Sequence, residues 1–559
     1  MSHPNTPAPM LMRASLLAAV AMGPAVAQSQ EDPEGIPVTH QTVIANCSGC
    51  HVRDSTGRMS RISYMRKTPE GWQNSIRRMV MLSGVKVEPD VARDIVRYLS
   101  NEHGLAPEEA RPGMFEVERR VIDWEYEGDE DTQDLCKRCH SMGRAILQRR
   151  TSDEWGLMIE LHRGLYPVVE FQGFRRGGPA SDEDDPRHPM DKAVAHLAEA
   201  FPLETDAWRA WAANKRPARL AGQWALVGSE VGKGMVYGSV TVTAAGNGED
   251  FTTDVAYTYA RTGETVRRSG RSTVYTGFQW RGRSFVGSDE ESAVREVMFV
   301  ERDWQEMSGR WFHGANDELG IDVTLHRVRN DPVVLGVHPT AVQMGGVHSV
   351  TIHGANLPTG LDASAIDLGP GLAVRSVTGQ SATEITVEVS VATDAALGGR
   401  DVFVGATNLE HGLTVFDEID RIAVEPRAGM ARIGGIVFPK QYQPFQAVGY
   451  HNGPDGDPET DDDIRLDLVD VQWALEEYTR TFDDEDIEFV GQIDQRGWFT
   501  PAADGPNPQR HQSRNNVGDV WVVASYTGPQ APKELRARAH LVVTVPLYMR
   551  WEPWKTTQP

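Results

Sequence analysis

All four cysteines of this 559-residue chain lie in two copies of one short pattern, Cys-x-x-Cys-His. The two copies consist of Cys47, Cys50 and His51 and of Cys136, Cys139 and His140. In each copy the thiols are one helical turn apart, so they can add to the two vinyl groups of one porphyrin, and the histidine can bind its iron. The pattern therefore predicts two covalently attached haems c.

Two other uses of the cysteines explain the pattern less well. Paired Cys-x-x-Cys motifs also bind zinc through four thiolates. However, about 85 residues separate Cys50 from Cys136, against about 15–20 in a compact zinc ribbon. Disulfides are the second alternative, because an oxidising compartment permits them. Neither alternative explains His51 and His140.

The sequence repeats loosely after each motif. Thr68 is followed four residues later by Trp72, and Thr151 is followed in the same way by Trp155. A threonine with a carboxylate in the next turn predicts an N-capped helix at both places. A basic pair precedes each threonine, at Arg66-Lys67 and at Arg149-Arg150.

The repeat also indicates where the sixth ligand of each iron lies. Met79 follows Trp72 by the same interval, about two helical turns, that separates His162 from Trp155. Ligand and tryptophan would thus share one helix face, and both residue types bind haem iron. The predicted ligand pairs are His51 with Met79 for the first haem and His140 with His162 for the second. Because a thioether ligand raises the reduction potential, two unlike haems would form a directed relay.

Other side chains remain alternative candidates for the sixth ligand of each iron. They are Met59, Met65 and Met81 for the first haem and Met142, Met158, His188 and Met190 for the second. The alternative for Met79 is a position in the hydrophobic core. The alternative for His162 is a surface position on an amphipathic helix.

The N-terminus has the order of parts of a signal peptide. Arg13 precedes an apolar run over residues 14–27 that ends in Ala25-Val26-Ala27, which predicts cleavage before Gln28 and export to the periplasm. No later apolar run reaches the roughly 20 residues that span a bilayer, so no membrane span is expected. The formal charge of −23 argues against nucleic-acid binding.

The length of the chain is too great for one hydrophobic core, so we predict a multidomain protein. Beyond Trp211 the pattern becomes strand-like, with alternation such as Ser239–Thr243. The predicted fold is an N-terminal, mainly α dihaem cytochrome c domain followed by three antiparallel β domains, of which one is barrel-like and two are immunoglobulin-like sandwiches. Predicted boundaries are 1–27 for the signal peptide, 28–211 for the dihaem domain, 212–330 for a β-barrel, 331–425 for an immunoglobulin-like sandwich and 426–559 for a second sandwich.

The β half contains no phosphate loop, zinc-type histidine cluster or nucleophile elbow. We therefore predict no catalytic residue in this chain. Its chemistry would be electron transfer by its haems, because a haem with both axial positions filled does not readily bind substrate.

The chain resembles the alpha subunit of quinohaemoprotein amine dehydrogenase over its whole mature length. The anchors of the resemblance are Cys47–His51, Cys136–His140, Gly222-Gln223-Trp224 and Ser349–Leu357. The resemblance implies a periplasmic heterotrimer. Its other members would be a β-propeller subunit and a small subunit that carries cysteine tryptophylquinone.

In such an enzyme the quinone oxidises a primary amine to an aldehyde and ammonia. Electrons then pass through the two haems to a soluble blue-copper protein or cytochrome c. The quinone would lie in the partner, because all four cysteines here are taken up by haem. The alternatives are a standalone secreted dihaem c-type cytochrome with β partner-binding domains and, third, a peroxidase with one open haem position.

Overall fold

The computed structural model describes residues 34–115, 128–136, 140–166, 169, 185–246, 248–314, 318–480, 485–511 and 514–546. The predicted signal peptide and Cys139 lie outside these residues. No helix in the described part of the chain is long and apolar enough to cross a membrane.

The N-terminal third is helical. Its helices are α1 Gln41–Cys47, α2 Pro69–Ser83, α3 Pro89–Glu102, α4 Pro107–Ala110, α5 Glu130–Cys136, α6 Gly143–Ile146, α7 Ser152–Leu165, α8 Pro189–Ala200 and α9 Asp206–Asn214. Two short strands, β1 Met65–Lys67 and β2 Gln148–Arg150, pair with each other in this region. A helical domain ahead of the β domains is as predicted.

A closed barrel follows the helices. Its strands are β3 Gly222–Glu230, β4 Gly234–Ala244, β5 Asp250–Tyr259, β6 Thr265–Tyr275, β7 Gln279–Val286, β8 Asp289–Val300, β9 Glu306–His313 and β10 Gly320–Arg327. Each strand pairs antiparallel with the next, and β10 closes on β3. Trp224, Trp280 and Trp311 fill the interior, each at most 1% exposed. The predicted antiparallel barrel is confirmed.

The next β domain has two sheets around one apolar core. Its strands are β11 Val333–His338, β12 Ala341–Gln343, β13 Val347–Ala355, β14 Ile366–Asp367, β15 Leu372–Gln380, β16 Glu384–Val391, β17 Gly398–Val404 and β18 Thr407–Phe416. The sheets have the orders β11-β13-β16-β15 and β12-β18-β17-β14. The pair β12 and β18 is parallel, an exception to the predicted antiparallel pairing. The immunoglobulin-like assignment stays a prediction.

The C-terminal β domain contains three smaller sheets. Its strands are β19 Arg421–Glu425, β20 Ala428–Arg432, β21 Gln443–Pro444, β22 Gln446–His451, β23 Ile464–Leu468, β24 Gln472–Glu477, β25 Gly491–Ile493, β26 Trp498–Pro501, β27 Gly518–Tyr526 and β28 Leu535–Thr544. The sheet orders are β19-β22-β23, β20-β28-β27-β24 and β21-β26-β25. Here too one pair, β20 with β28, is parallel.

The helical domain is fixed against the barrel by apolar and polar contacts. Arg97 on α3 donates to both carboxylate oxygens of Asp250 on β5, at 2.8 and 3.0 Å. The Trp211 indole N–H donates to the Thr276 carbonyl at 2.9 Å. Arg281 on β7 pairs with Glu70 in the first turn of α2. The barrel therefore anchors the helix on which Met79 lies.

Candidate haem sites

The first Cys-x-x-Cys-His motif forms a single turn at the end of α1. The helix ends at Cys47, and the backbone N–H of His51 donates to the Cys47 carbonyl at 2.9 Å. Cys47 is half-buried and Cys50 is exposed, and both thiols are free. A turn that presents two free thiols and a histidine fits the requirement of thioether attachment.

The imidazole of His51 is held by a backbone carbonyl. Its Nδ1 forms a hydrogen bond of 2.8 Å with the carbonyl oxygen of Ser60. Because a carbonyl only accepts, Nδ1 is the donor, and the lone pair of the neutral ring lies on Nε2. Such a bond is the usual way in which a metal-binding histidine is oriented. Sequence reasoning missed Ser60, because its contribution is made by the backbone carbonyl and not by the side chain.

The second motif has a similar beginning. Helix α5 ends at Cys136, which is a free thiol, and burial raises its pKa to about 11. The Nδ1 of His140 contacts the Ser141 carbonyl at 2.7 Å, which again leaves Nε2 with the lone pair. Burial lowers the pKa of His140 to about 4, so its imidazole is neutral at neutral pH. A neutral imidazole is the form that binds metal.

The two predicted N-capped helices are confirmed. The hydroxyl of Thr68 accepts a hydrogen bond from the Gly71 backbone N–H at the start of α2, at 3.2 Å. The hydroxyl of Thr151 accepts one from the Glu154 N–H at the start of α7, at 3.3 Å. The same local sequence signal therefore produces the same helix start in both halves of the domain.

The tryptophans of these helices are buried in equivalent ways. The indole N–H of Trp72 donates to the His103 carbonyl at 2.9 Å, and that of Trp155 donates to the Phe201 carbonyl at 3.1 Å. Both carbonyls belong to the residue just after a helix, α3 or α8. We call the two equivalent units modules: the first comprises residues 38–103, and the second comprises the described residues from 128 to 201.

Strands β1 and β2 join the modules. They pair antiparallel with Arg66 opposite Arg149, and each strand leads directly into the capped helix of its module. This pairing places equivalent residues of the two modules opposite each other. The basic residues that recur in the sequence are therefore at the junction of the two modules.

Glu109 bridges the two central arginines. The guanidinium of Arg66 donates to both of its carboxylate oxygens, at 2.7 and 2.9 Å, and the Arg149 Nε lies 3.1 Å from one of them. Burial raises the pKa of Glu109, but the hydrogen bond and charge of Arg66 outweigh burial, so the net pKa is lowered. The carboxylate is ionised and balances buried positive charge.

The structure brings the predicted ligands His140 and His162 together. Their ring centroids are 6.3 Å apart, and their planes are inclined by 40°. Two imidazoles on opposite sides of one metal ion have centroids about 6 Å apart, because each metal–nitrogen bond is about 2 Å and each ring centre lies about 1 Å farther. The separation of the two rings fits an iron ion between them.

His162 presents the same nitrogen as the motif histidines. Its Nδ1 contacts the Met158 carbonyl one turn earlier on α7, at 2.8 Å, so Nε2 carries the lone pair of the neutral ring. Burial lowers the pKa of His162 and thereby favours this neutral form. His162 is half-buried, which favours the predicted ligand role over the alternative of a surface histidine on an amphipathic helix.

Met79 occupies a different environment from two of its three rivals for the first iron, Met59 and Met65. It is 37% exposed and lies in the last turns of α2 beside the exposed side chains of Val80 and Leu82. Met59 and Met65, in contrast, are 0% and 7% exposed in the apolar core of the module. These two methionines are core residues, whereas the Met79 thioether remains available to a bound group.

Most of the alternatives to His162 as a ligand of the second iron already have structural roles. Met142 and Met190 are buried in apolar clusters, at 0% and 5% exposure. His188 caps α8, because its Nδ1 accepts a hydrogen bond from the Met190 backbone N–H at 3.0 Å.

Met81 is the remaining alternative to Met79 as a ligand of the first iron. It is 61% exposed on the same turn of α2 as Met79.

The residues present fit haem c at both motifs. Each site offers at least one free thiol and an oriented, metal-competent imidazole, and α2 adds exposed apolar side chains that a porphyrin ring would cover. No group of three His, Cys, Asp or Glu side chains in the described residues is arranged to hold a metal ion without a porphyrin. Ligation by Met79 and His162 stays a prediction.

Four protein-family models match the chain, one for each region. Residues 38–208 match "Quinohemoprotein amine dehydrogenase A, alpha subunit, haem binding". Residues 217–328, 331–417 and 422–555 match domains II, III and IV of the "Quinohemoprotein amine dehydrogenase, alpha subunit". Together the matches cover nearly the whole chain from residue 38 onwards.

The other comparisons add little. A redesigned beta barrel matches at 14% identity with a TM-score of 0.18, over 20% of this chain and 92% of that chain. The mouse clustered PcdhgC3 EC1-3 structure matches at 13% identity with a TM-score of 0.17, over 47% of this chain and 88% of that chain. Superpositions with such scores support no conclusion, and none of the curated proteins compared with the chain matches it.

Proposed function

Because this chain belongs to the quinohaemoprotein amine dehydrogenase alpha-subunit family, we propose that it is the dihaem electron-transfer subunit of such an enzyme. The family includes a haem-binding domain, and this chain has its counterpart at residues 38–208. Being an alpha subunit implies other subunits in the complex. The more detailed part of the proposal names the residues that hold the haems, the electron donor and the electron acceptor.

At the first site, the thiols of Cys47 and Cys50 would hold haem c by thioether bonds, and His51 would bind the iron through Nε2. The hydrogen bond from His51 to Ser60 supports this role, because it fixes the ring and leaves that nitrogen available. Met79 would supply a second protein ligand to this iron. A thioether ligand raises the reduction potential of this haem relative to one with two imidazoles.

At the second site, Cys136 and Cys139 would form the thioether bonds, and His140 and His162 would bind the iron. The observation that carries the proposal is the 6.3 Å separation of these two imidazole rings. Burial lowers the pKa of both rings and so favours the neutral form, which binds metal without first losing a proton. Haem c supplies reversible one-electron oxidation and reduction when it is bound at these residues.

This chain would take no part in breaking bonds of the amine. The quinone cofactor and the catalytic residues would belong to a small partner subunit, with a β-propeller as the third member of a heterotrimer. A soluble blue-copper protein or cytochrome c would receive the electrons. Export to the periplasm after removal of residues 1–27 completes the proposal, because the order of parts at the N-terminus is that of a signal peptide.

Anaerobic addition of a primary amine to the purified native complex tests this function. The haem absorbance should change to that of the reduced form without any other reductant. A control with the separated alpha subunit should show no reduction by amine, because the quinone is absent. Two haems that dithionite reduces but that no amine reduces in the intact complex would contradict the proposal and favour a standalone cytochrome.

A further inference from the structure

The Ser60 carbonyl, which accepts the hydrogen bond from the His51 imidazole, belongs to an unusual turn. It also accepts a hydrogen bond from the Ile62 backbone N–H at 2.9 Å, which closes a three-residue turn. The central residue, Arg61, has φ 68° and ψ −52°, close to the values of a γ-turn with positive φ. This turn is rare and strained, because a Cβ atom disfavours positive φ. The backbone that anchors His51 therefore needs support from the surrounding structure.

That support comes from the second module. The Arg61 Nε lies 3.0 Å from a carboxylate oxygen of Glu154, in the first turn of α7. The Glu154 side chain is 5% exposed, and its other carboxylate oxygen lies 3.4 Å from a terminal nitrogen of the buried Arg150. The carboxylate is thus held within the second module, and Arg61 reaches it from the first.

A backbone contact joins the same two segments of the chain. Tyr64 ends the short helix that follows Arg61, and its carbonyl accepts a hydrogen bond from the Thr151 backbone N–H at 3.3 Å. The turn and the residues after it are therefore connected to the start of α7 at two points. Because α7 also carries His162, one helix both supports the anchor of His51 and supplies a predicted ligand of the second iron.

The histidine of the second motif is anchored in a different way. The Nδ1 of His140 contacts the carbonyl of Ser141, the next residue in the chain, at 2.7 Å. Ser60, in contrast, lies nine residues after His51. A contact between neighbouring residues does not require a strained turn that the other module supports. The dependence thus concerns the first iron site, with the second module as its support.

We propose that Arg61 is a positioning residue for the haem held by His51, and that its ion pair with Glu154 lets the second module control the donor strength of that histidine. This inference rests on the proposed function, because it presumes iron bound to His51. The hydrogen bond to Ser60 makes the imidazole more basic, and a more basic ligand favours oxidised iron. Loss of the ion pair would let the turn relax, weaken this hydrogen bond and raise the reduction potential of the first haem.

Redox titration of the native complex with Arg61→Ala tests the proposal. Alanine keeps the Cβ atom, so positive φ stays unfavourable, while the ion pair with Glu154 is lost. The midpoint potential of the first haem should rise. A through-space effect of the lost charge has the opposite sign, because removal of a cation favours the oxidised form and lowers the potential. Arg61→Lys retains a cation for Glu154 and should remain closer to the wild type.

Glu154→Gln tests the same link from the second module. Glutamine keeps the volume of the side chain but removes the charge that binds Arg61, so the potential of the first haem should again rise. The double variant Arg61→Ala with Glu154→Gln should shift this potential by less than the sum of the two single shifts, because both substitutions remove one interaction. Glu160→Gln is the matched control, since Glu160 is an exposed carboxylate on α7 that pairs with Arg163. It should leave the potential of the first haem unchanged.

A potential of the first haem that falls or stays the same in Arg61→Ala would overturn the inference. Single shifts that add fully in the double variant would also overturn it. Each of these results leaves the proposed function intact, because both haems are still bound and reduced by amine. A wild-type protein without haem would remove the function itself.

Discussion

The imidazole rings of His140 and His162 lie with their centroids 6.3 Å apart, although 21 residues separate them in the chain. His140 ends the second Cys-x-x-Cys-His motif, and His162 lies about three turns beyond the capped start of α7. Both rings use Nδ1 to contact a backbone carbonyl, which leaves the lone pair of the neutral ring on Nε2. This pair is the most specific geometric sign of a metal-bound group in the described residues.

Replacement of His162 by methionine should change the second haem alone. Its iron would keep six ligands, but a thioether in place of an imidazole raises the reduction potential. We expect an upward shift of one midpoint potential in a redox titration and loss of the electron paramagnetic resonance signal of the bis-imidazole haem. His188→Asn is the control, because asparagine preserves the cap of α8. An unchanged signal in His162→Met would show that His162 is not a ligand.

Replacement of Met79 by alanine should affect the first haem. The iron would lose its sixth ligand and become high-spin, or take up water, with a lower reduction potential. Absorbance and redox titration measure both effects. Met81→Ala is the matched control for Met79→Ala, because Met81 is an exposed methionine on the same helix. If Met79→Ala leaves the first haem low-spin with an unshifted potential, or if Met81→Ala shows the change instead, the assignment is wrong.

Glu109→Gln should destabilise the helical domain. Glutamine keeps the volume of the side chain but leaves the buried guanidiniums of Arg66 and Arg149 without their carboxylate. Loss of one partner from a buried ion pair costs about 3–5 kcal/mol. Chemical denaturation followed by the fluorescence of the buried tryptophans measures it. Glu108→Gln should cost far less, because Glu108 pairs with Arg302 at the surface. Equal effects of both substitutions would contradict the bridging role.

The stability difference between the wild type and Glu109→Gln should depend on pH. The pKa of Glu109 is lowered in the folded state, so its carboxylate stabilises the fold above the ordinary glutamate pKa of about 4.3. That contribution is lost as the pH falls through the lowered folded-state pKa. The difference should therefore be constant near pH 7 and shrink in acid. A difference that grows as the pH falls would contradict the lowered pKa.

The local parts of the haem domain were predictable from the sequence. Thr68 and Thr151 signalled two capped helices, and the equal spacing of Met79 and His162 from their tryptophans came from the same repeat. Alternating residues also predicted the barrel, because every second side chain of a strand faces the interior. These features depend on residues that are close together in the chain.

The long-range contacts were not predictable in this way. Glu109 lies 43 residues from Arg66, and no periodic pattern links the two. The carbonyl of Ser60 carries no side-chain signal, and the parallel pairing of β12 with β18 depends on how two sheets close around a core. The basic pairs were visible, but only the pairing of β1 with β2 shows that they meet at one junction.

The mass of the denatured, acid-extracted chain tests the central claim most directly. The account predicts the mass of the mature polypeptide from Gln28 plus two porphyrins, with the red colour retained in the protein after extraction. Alanine at both cysteines of one motif should remove one porphyrin from that mass. A polypeptide with no added porphyrin, or red colour that passes entirely into the extract, would contradict covalent haem attachment and the electron-transfer function with it.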